Sequence, residues 1–222
     1  KNISVYEYRK KLGAQLAKES HINVDLIIPV PDSGVPAAIG YAESIGKNVE
    51  LGIIRNHYVG RTFIEPTQQI RSFGVKLKHN VNKSLVKGKS LILIDDSLVR
   101  GTTSIKIIKM LYEAGAKEVH LRISSPPIKY PDFYGVDTPN QSELMASKFN
   151  LKEMCKFLNA TTLQFLSIKG LYNSMGYKER NATYPQFTDH CFTGDYPVKP
   201  IDSENKDFTN KDLSFMSSTP LR

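Results

Sequence analysis

The chain has 222 residues, 40% of them hydrophobic and 23% charged, with a net charge of +8. That length suits one domain of ordinary size plus extensions, with core enough to fold without disulfide staples. No apolar run approaches the roughly 20 residues that span a bilayer, and two cysteines cannot form a disulfide framework. Both are expected to be reduced, in a cytoplasmic setting. The positive charge suits a polyanionic ligand but equally admits nucleic acid, so charge alone does not choose. The chain begins Lys1-Asn2-Ile3 with no initiator Met and no basic-then-apolar leader, which points to a trimmed or partial chain.

Val5, Tyr8, Leu12 and Leu16 recur at helical spacing over residues 3–19, with Lys and Arg on the opposite face. Residues 24–30 read as a strand, and Pro29 argues for its end rather than its middle. Pro31-Asp32-Ser33-Gly34-Val35-Pro36 is then a turn opening a helix that runs to about Ser44. A small-residue turn between a strand's carboxyl end and a helix's amino end is either ordinary turn chemistry or an anion seat. Residues 49–54 read as another strand. The stretch from Arg55 to about Asn82 has no clean period, is rich in Arg, Lys, Gln and Thr, and carries Gly60 and Gly74 as hinges. A long basic segment of this kind inside a compact domain reads as a closing loop, with a solvated basic loop as the plain alternative. Arg55, Arg61 and Arg71 would neutralise a diphosphate, while Tyr58 and Phe63 close over a sugar.

The centre of the chain is Leu91-Ile92-Leu93-Ile94-Asp95-Asp96, running into Ser97-Leu98-Val99-Arg100-Gly101-Thr102-Thr103-Ser104. Four consecutive aliphatic residues read as a strand buried on both faces. Its carboxyl end, where open α/β sheets bind ligands, delivers two adjacent carboxylates. Gly101 is free to take positive φ, and Thr103 or Ser104 can cap a helix whose apolar face is Ile105, Ile108, Leu111 and Tyr112. Backbone N–H groups of Gly101–Ser104, the hydroxyls of Thr102, Thr103 and Ser104, and the helix dipole together make a phosphate cradle. Acids on the rim of such a cradle make sense if they accept bonds from sugar hydroxyls or face a divalent cation. The ligand implied is a phosphorylated sugar with a metal. The plain alternative is a buried strand, an acidic loop and a capped helix.

Further on, the helix ends at Gly115 and residues 119–123 form a strand. Ser124-Ser125-Pro126-Pro127-Ile128 is a loop at the sheet's carboxyl edge, and residues 130–137 lie over that edge. Ser142–Ser147 and Leu151–Leu158 carry helical patterns, and residues 162–168 read as a strand. No histidine pair has metal-ligand spacing, so His57 is read as a residue of the closing loop and the other four as unremarkable. Apolar density falls from about Gly176, and residues 199–222 have little to bury.

The run of four aliphatics, two acids and a Gly-Thr-Thr turn resembles the phosphoribosyl pyrophosphate (PRPP) motif of type I phosphoribosyltransferases. Residues 56–64, the run Asp95 to Ser104, Ser124 to Pro127 and Cys191-Phe192-Thr193-Gly194-Asp195-Tyr196-Pro197 resemble, more narrowly, the glutamine PRPP amidotransferase family. The resemblance implies an α/β fold of the type I phosphoribosyltransferase kind: a mostly parallel twisted sheet flanked by helices, with a long flexible closing loop over about 55–82. One such domain would occupy residues 1–198, followed by a polar tail over 199–222. The implied reaction is attack of ammonia on C1 of PRPP, giving 5-phosphoribosylamine and pyrophosphate with Mg²⁺, the first committed step of purine synthesis. By position, Asp95, Asp96, Arg61 and Tyr58 become the catalytic set. Asp32, Ser33, Arg55, Thr62, Ser97, Arg100, Gly101, Thr102, Thr103 and Ser104 bind substrate, and Ser33, Asp95 and Asp96 face the metal. A homo-oligomer and inhibition by purine nucleotides are also implied, with no nucleic-acid or membrane partner.

Three departures from the family pattern matter. The family's amino-terminal glutaminase domain, with its nucleophilic Cys, does not occur in these residues, so ammonia must come from a missing or separate domain. Some members hold an iron–sulfur cluster through cysteines, one where Asp132 stands here and a pair near the end where only Cys191 remains. Such a cluster needs about four thiolates, so none is expected. His57 stands where the family usually has Arg, which removes a permanent charge from the closing loop. The competing class is a non-catalytic PRPP-sensing regulator. It would need a DNA-reading module, and no helix-turn-helix pattern precedes Val24. A base-salvage phosphoribosyltransferase would keep the PRPP motif but leave residues 58–63 unexplained.

Overall fold

In the computed structural model the residues described are 4–56, 79–136, 138 and 140–198. At its centre is β4 (Ser90–Asp95), whose Leu91, Ile92, Leu93 and Ile94 have no exposed surface. It lies between β1 (Leu26–Pro29) and β5 (Glu118–Ile123), and β6 (Thr162–Phe165) pairs with β5, giving the order β1-β4-β5-β6 with every pairing parallel. A parallel strand covered on both faces must be apolar at every position, which is why this run is unbroken rather than alternating.

Successive residues of β4 serve opposite layers. Ile92 and Ile94 face a layer holding Leu12, Leu16, Ala37, Ala38 and Tyr41, from α1 (Val5–Ser20) and α2 (Val35–Ser44). Leu91 and Leu93 face the other layer, built from Ile107, Ile108 and Leu111 of α4 (Thr102–Glu113) and from Met154 and Leu158 of α6 (Leu151–Leu158). This is the three-layer α/β arrangement expected from the sequence.

Helices α1 and α2 approach closely because each presents a glycine. A Cβ on Gly13 would stand 1.8 Å from the Ala37 carbonyl oxygen, and one on Gly40 would stand 1.9 Å from that of Lys10. Gly→Ala inside a helix ordinarily stabilises it, but here the sign inverts. Gly13→Ala is expected to cost about 1–3 kcal/mol by forcing the helices apart, a fall of roughly 2–12 °C in the thermal midpoint of a chain this size. A thermal melt followed by circular dichroism checks it.

Several boundaries differ from the sequence reading. The α1 stripe begins one turn later than expected: Leu12 and Leu16 are buried, whereas Val5 is 70% exposed. Of the strand expected over 49–54, only β2 (Ile53–Arg55) forms. It pairs antiparallel with β3 (His79–Val81) in a separate two-stranded ribbon. Of the stretch expected as a closing loop over 55–82, residues 57–78 lie outside the described residues; α3 (Lys83–Val86), capped by Asn82, follows β3. Tyr58, Arg61 and Thr62 lie outside the described residues.

Helix α4 starts at Thr102 with Gly101 as its N-cap, at φ 77°, and no side chain caps it. The expected Thr103 or Ser104 cap is thus corrected. A left-handed glycine turns the chain earlier and leaves those residues in the first helical turn. The helix expected over 142–147 splits into a 3₁₀ turn (Gln141–Glu143) and α5 (Met145–Lys148), while α6 has the expected bounds, with an Asn150/Glu153 capping box. Strand β6 stops at Phe165, because Ser167 caps α7 (Ile168–Ser174) by accepting from the Gly170 N–H at 2.8 Å. The sparse segment after Gly176 is anchored by Asp189, 3% exposed, which accepts from Arg180 at 2.7 and 3.1 Å and from the Tyr172 hydroxyl at 2.8 Å. Helix α8 (His190–Thr193) follows directly.

Candidate active site

Two turns at the carboxyl ends of β1 and β4 make the site. The first, Pro31-Asp32-Ser33-Gly34, leaves the sheet where the Val30 N–H bonds to the Ile94 carbonyl at 2.8 Å. Its Pro31–Asp32 peptide bond is cis. Gly34 is needed for space rather than for an unusual φ: a Cβ there would stand 2.4 Å from the Ile94 oxygen and 2.9 Å from the Val30 oxygen. That close approach sets the Asp32–Ser33 turn against the carboxyl end of β4, where Asp95 lies. On the outer side Asp32 pairs with Arg55 at the end of β2.

The second turn begins with the acids. Asp95 is 7% exposed, and its Oδ1 accepts from the Asp96 N–H at 2.9 Å, while the Ser97 hydroxyl lies 3.3 Å from Asp96 Oδ1. Burial pushes the Asp95 carboxyl up to about 8, and the neighbouring Asp96 charge adds to that; the Asp96 amide and the Ser33 hydroxyl oppose it. A carboxyl held neutral by its surroundings is one that a cation would ionise. The oxygens of Asp95, Asp96 and Ser33 fit a hard divalent ion such as Mg²⁺.

The chain then turns through Gly101 into α4, whose first N–H groups have no side-chain cap. Uncapped N–H groups at the positive end of a twelve-residue helix are the donors an anion requires. Thr102 is exposed at this end, Thr103 half-buried and Ser104 buried. Arg100, expected to hold phosphate, donates its Nε–H to Glu143 at 2.9 Å. Glu143 was not legible as a partner, because 43 residues separate the two. A cavity of about 600 Å³ lined by Lys129, Phe149, Asn150, Gln164 and Phe165, among others, shares no residue with the two turns. The turns, rather than this cavity, are the candidate site, because they bring a buried acid pair beside an uncapped helix amino end.

Sequence reasoning also missed a second convergence. His190, read as unremarkable, is buried beside Asp132 and Cys191. The chain's two cysteines do not meet the roughly four thiolates of an iron–sulfur cluster, so the residues present do not fit one.

Comparison with known proteins follows the same lines. The amidophosphoribosyltransferase of Rhizobium etli is 56% identical over 216 residues, covering 97% of this chain and 43% of that protein. The Bacillus subtilis amidophosphoribosyltransferase is 49% identical over 197 residues, covering 89% of this chain and 41% of that protein. Among solved structures, the B. subtilis glutamine PRPP amidotransferase complexed with ADP and GMP superposes with a TM-score of 0.80 at 48% identity, over 90% of this chain and 44% of that one. The chain thus spans less than half the length of these relatives. The family profile of the phosphoribosyl transferase domain matches residues 5–125, which take in both turns, the parallel strands β1, β4 and β5, and the cradle helix. With that match laid over this geometry, the chain belongs to the phosphoribosyltransferase domain family.

Proposed function

We propose that this chain is the phosphoribosyl-transferring part of an amidophosphoribosyltransferase. It would form 5-phosphoribosylamine and pyrophosphate from PRPP, with ammonia as the nitrogen donor its own residues can use. The observation that carries the reading is the join of the two strand ends, where the Val30 N–H bonds to the Ile94 carbonyl at 2.8 Å and sets a small-residue turn beside an acidic pair and an uncapped helix amino end. The names of the relatives support the same activity.

In this reading the α4 amino end, with Gly101, Thr102, Thr103, Ser104 and Ser97, takes the 5′-phosphate. Asp95 and Asp96 accept bonds from the ribose hydroxyls and so fix C1. The turn at Asp32 and Ser33, with Arg55 at its rim, receives the pyrophosphate. When bound at Ser33, Asp95 and Asp96, Mg²⁺ supplies charge neutralisation for the leaving group. Ammonia attacks C1 from the opposite face, and the C1–O bond to pyrophosphate breaks with inversion. An oxocarbenium-like state would also be captured by water, so a closing loop bearing Tyr58, Arg61 and Thr62 has a chemical purpose. Arg100 helps indirectly in this scheme, by tying the cradle turn to Glu143. A cytoplasmic homo-oligomer inhibited by purine nucleotides belongs to the same proposal. The relative bound to ADP and GMP supports the nucleotide part.

Pyrophosphate release from PRPP with Mg²⁺, measured with ammonium chloride and separately with glutamine, tests the proposal. Release with ammonia and none with glutamine is expected. PRPP binding by calorimetry without release under either condition would favour the sensor reading. No binding would overturn the site.

A further inference from the structure

Away from the two turns, the loop after β5 and the short helix α8 bring together Asp132, His190 and Cys191. One ligand-type atom of each lies within 4.8 Å of the other two. The two segments are held by backbone: the Lys129 and Tyr130 N–H groups both donate to the Cys191 carbonyl, at 2.9 and 3.1 Å. The Tyr196 hydroxyl donates to the Pro131 carbonyl at 2.9 Å. Asp132 is oriented by its own turn, its Oδ2 accepting from the Val136 N–H at 2.6 Å, and its Oδ1 faces His190 Nε2 at 2.6 Å. The Asp132 and His190 side chains are only 5% and 6% exposed. Rings of Tyr134 and Tyr196 lie 5.1 Å from the imidazole and wall it from solvent.

The decisive feature is the other ring nitrogen. His190 Nδ1 is buried and has no hydrogen-bond partner. A metal ion is the partner that a lone pair on such a buried ring nitrogen takes, beside a carboxylate and a thiol. A carboxylate oxygen, an imidazole nitrogen and a thiolate sulfur form a donor set that Zn²⁺ accepts, whereas Mg²⁺ and Ca²⁺ take oxygens. Two anionic ligands and one neutral ligand balance a divalent charge in a place mostly closed to water.

We propose that Asp132, His190 and Cys191 form a mononuclear site for a divalent cation of the Zn²⁺ class, with water as the fourth ligand. Bonds of about 2.0–2.3 Å in a tetrahedral set place ligands roughly 3.5 Å apart. Binding releases the Cys191 thiol proton to solvent as the Cys191 S–metal bond forms. The ion ties the loop over the carboxyl edge of the sheet to the carboxyl-terminal segment. It is a structural staple, built from residues outside the Ser33–Asp95–Asp96 set.

The test uses the whole chain, reduced and stripped of metal, titrated with Co²⁺ as a spectroscopic stand-in. One equivalent should bind, with a thiolate-to-cobalt charge-transfer band in the near ultraviolet and the strong visible bands of a four-coordinate ion, and one equivalent of Zn²⁺ should displace it. Cys191→Ser, a conservative change at a half-buried position, should remove the charge-transfer band while apo circular dichroism matches the wild type. Asp132→Asn should weaken binding at least tenfold. No charge-transfer band in the reduced wild-type chain would overturn the site, as would a band that persists in Cys191→Ser. So would stoichiometric uptake of iron and sulfide on anaerobic reconstitution, which would replace a single ion with a cluster. None of these readouts depends on PRPP turnover, so they stand or fall apart from the proposed activity.

Discussion

Asp95→Asn combined with Asp96→Asn is expected to abolish ammonia-dependent pyrophosphate release while leaving the chain folded and, at alkaline pH, more stable than the wild type. Losing one electrostatic contact to a developing charge typically costs about 10²–10³ in rate. Removing both acids takes away the ribose acceptors and the cation's ligands together, so turnover falls below detection. The stability change follows from Asp95. Burial, and then the Asp96 charge, raise its carboxyl to about 8, against about 3.9 in an unfolded chain. Between those values the folded state holds a proton that the unfolded state has released. The contribution of this group is therefore fully present below about pH 4 and is lost as pH rises toward 8. Each unit in that window costs the wild type up to about 1.4 kcal/mol, or roughly 3–6 °C for a chain this size. The double-Asn chain lacks the titration. Thermal melts without added Mg²⁺, from pH 5 to pH 8.5, should show its midpoint rising relative to the wild type across the series. A gap that stays constant with pH would show that Asp95 does not hold its proton. Retained turnover would remove these acids from the chemistry.

Gly34→Ala is the second large effect, and it separates geometry from charge, because no ionisable group changes. The added methyl would lie 2.4 Å from the Ile94 oxygen and 2.9 Å from the Val30 oxygen, and both are backbone atoms that cannot swing aside. The turn must lift away from β4, and with it goes the close fit, next to the 2.8 Å Val30–Ile94 hydrogen bond, that sets the first turn beside Asp95. A misplacement of about 1 Å between groups that share a reacting centre can cost about 10²-fold. A fall of that size in kcat/KM for PRPP is therefore expected. Retained far-ultraviolet circular dichroism would show that the sheet survives. Wild-type kcat/KM would mean that the two turns need not touch during turnover.

The contrast between these substitutions marks where the sequence is informative. The Asp pair could be picked out from the sequence because everything around it is local. Four aliphatic residues fix a strand buried on both faces, two acids end it, and a glycine followed by a 3.6-residue period fixes the helix after the turn. Leu151–Leu158 was equally plain, since its cap and its period lie within the same ten residues. The α/β class follows from strands of this kind alternating with amphipathic helices.

What the sequence could not supply was contact across distance. Gly34 looked like ordinary turn chemistry until β4 was placed 2.4 Å from where its Cβ would be. The partner of Arg100, Glu143, could not be picked out because it lies 43 residues on. His190 looked unremarkable because metal spacing is sought along the chain, whereas Asp132 stands 58 residues before it. Periodicity and turn chemistry act over a few residues, so they set the elements and the acids that a strand end delivers. Which loops lie against each other depends on the strand order β1-β4-β5-β6 and on how closely backbone can approach backbone, and only the packed structure decides that.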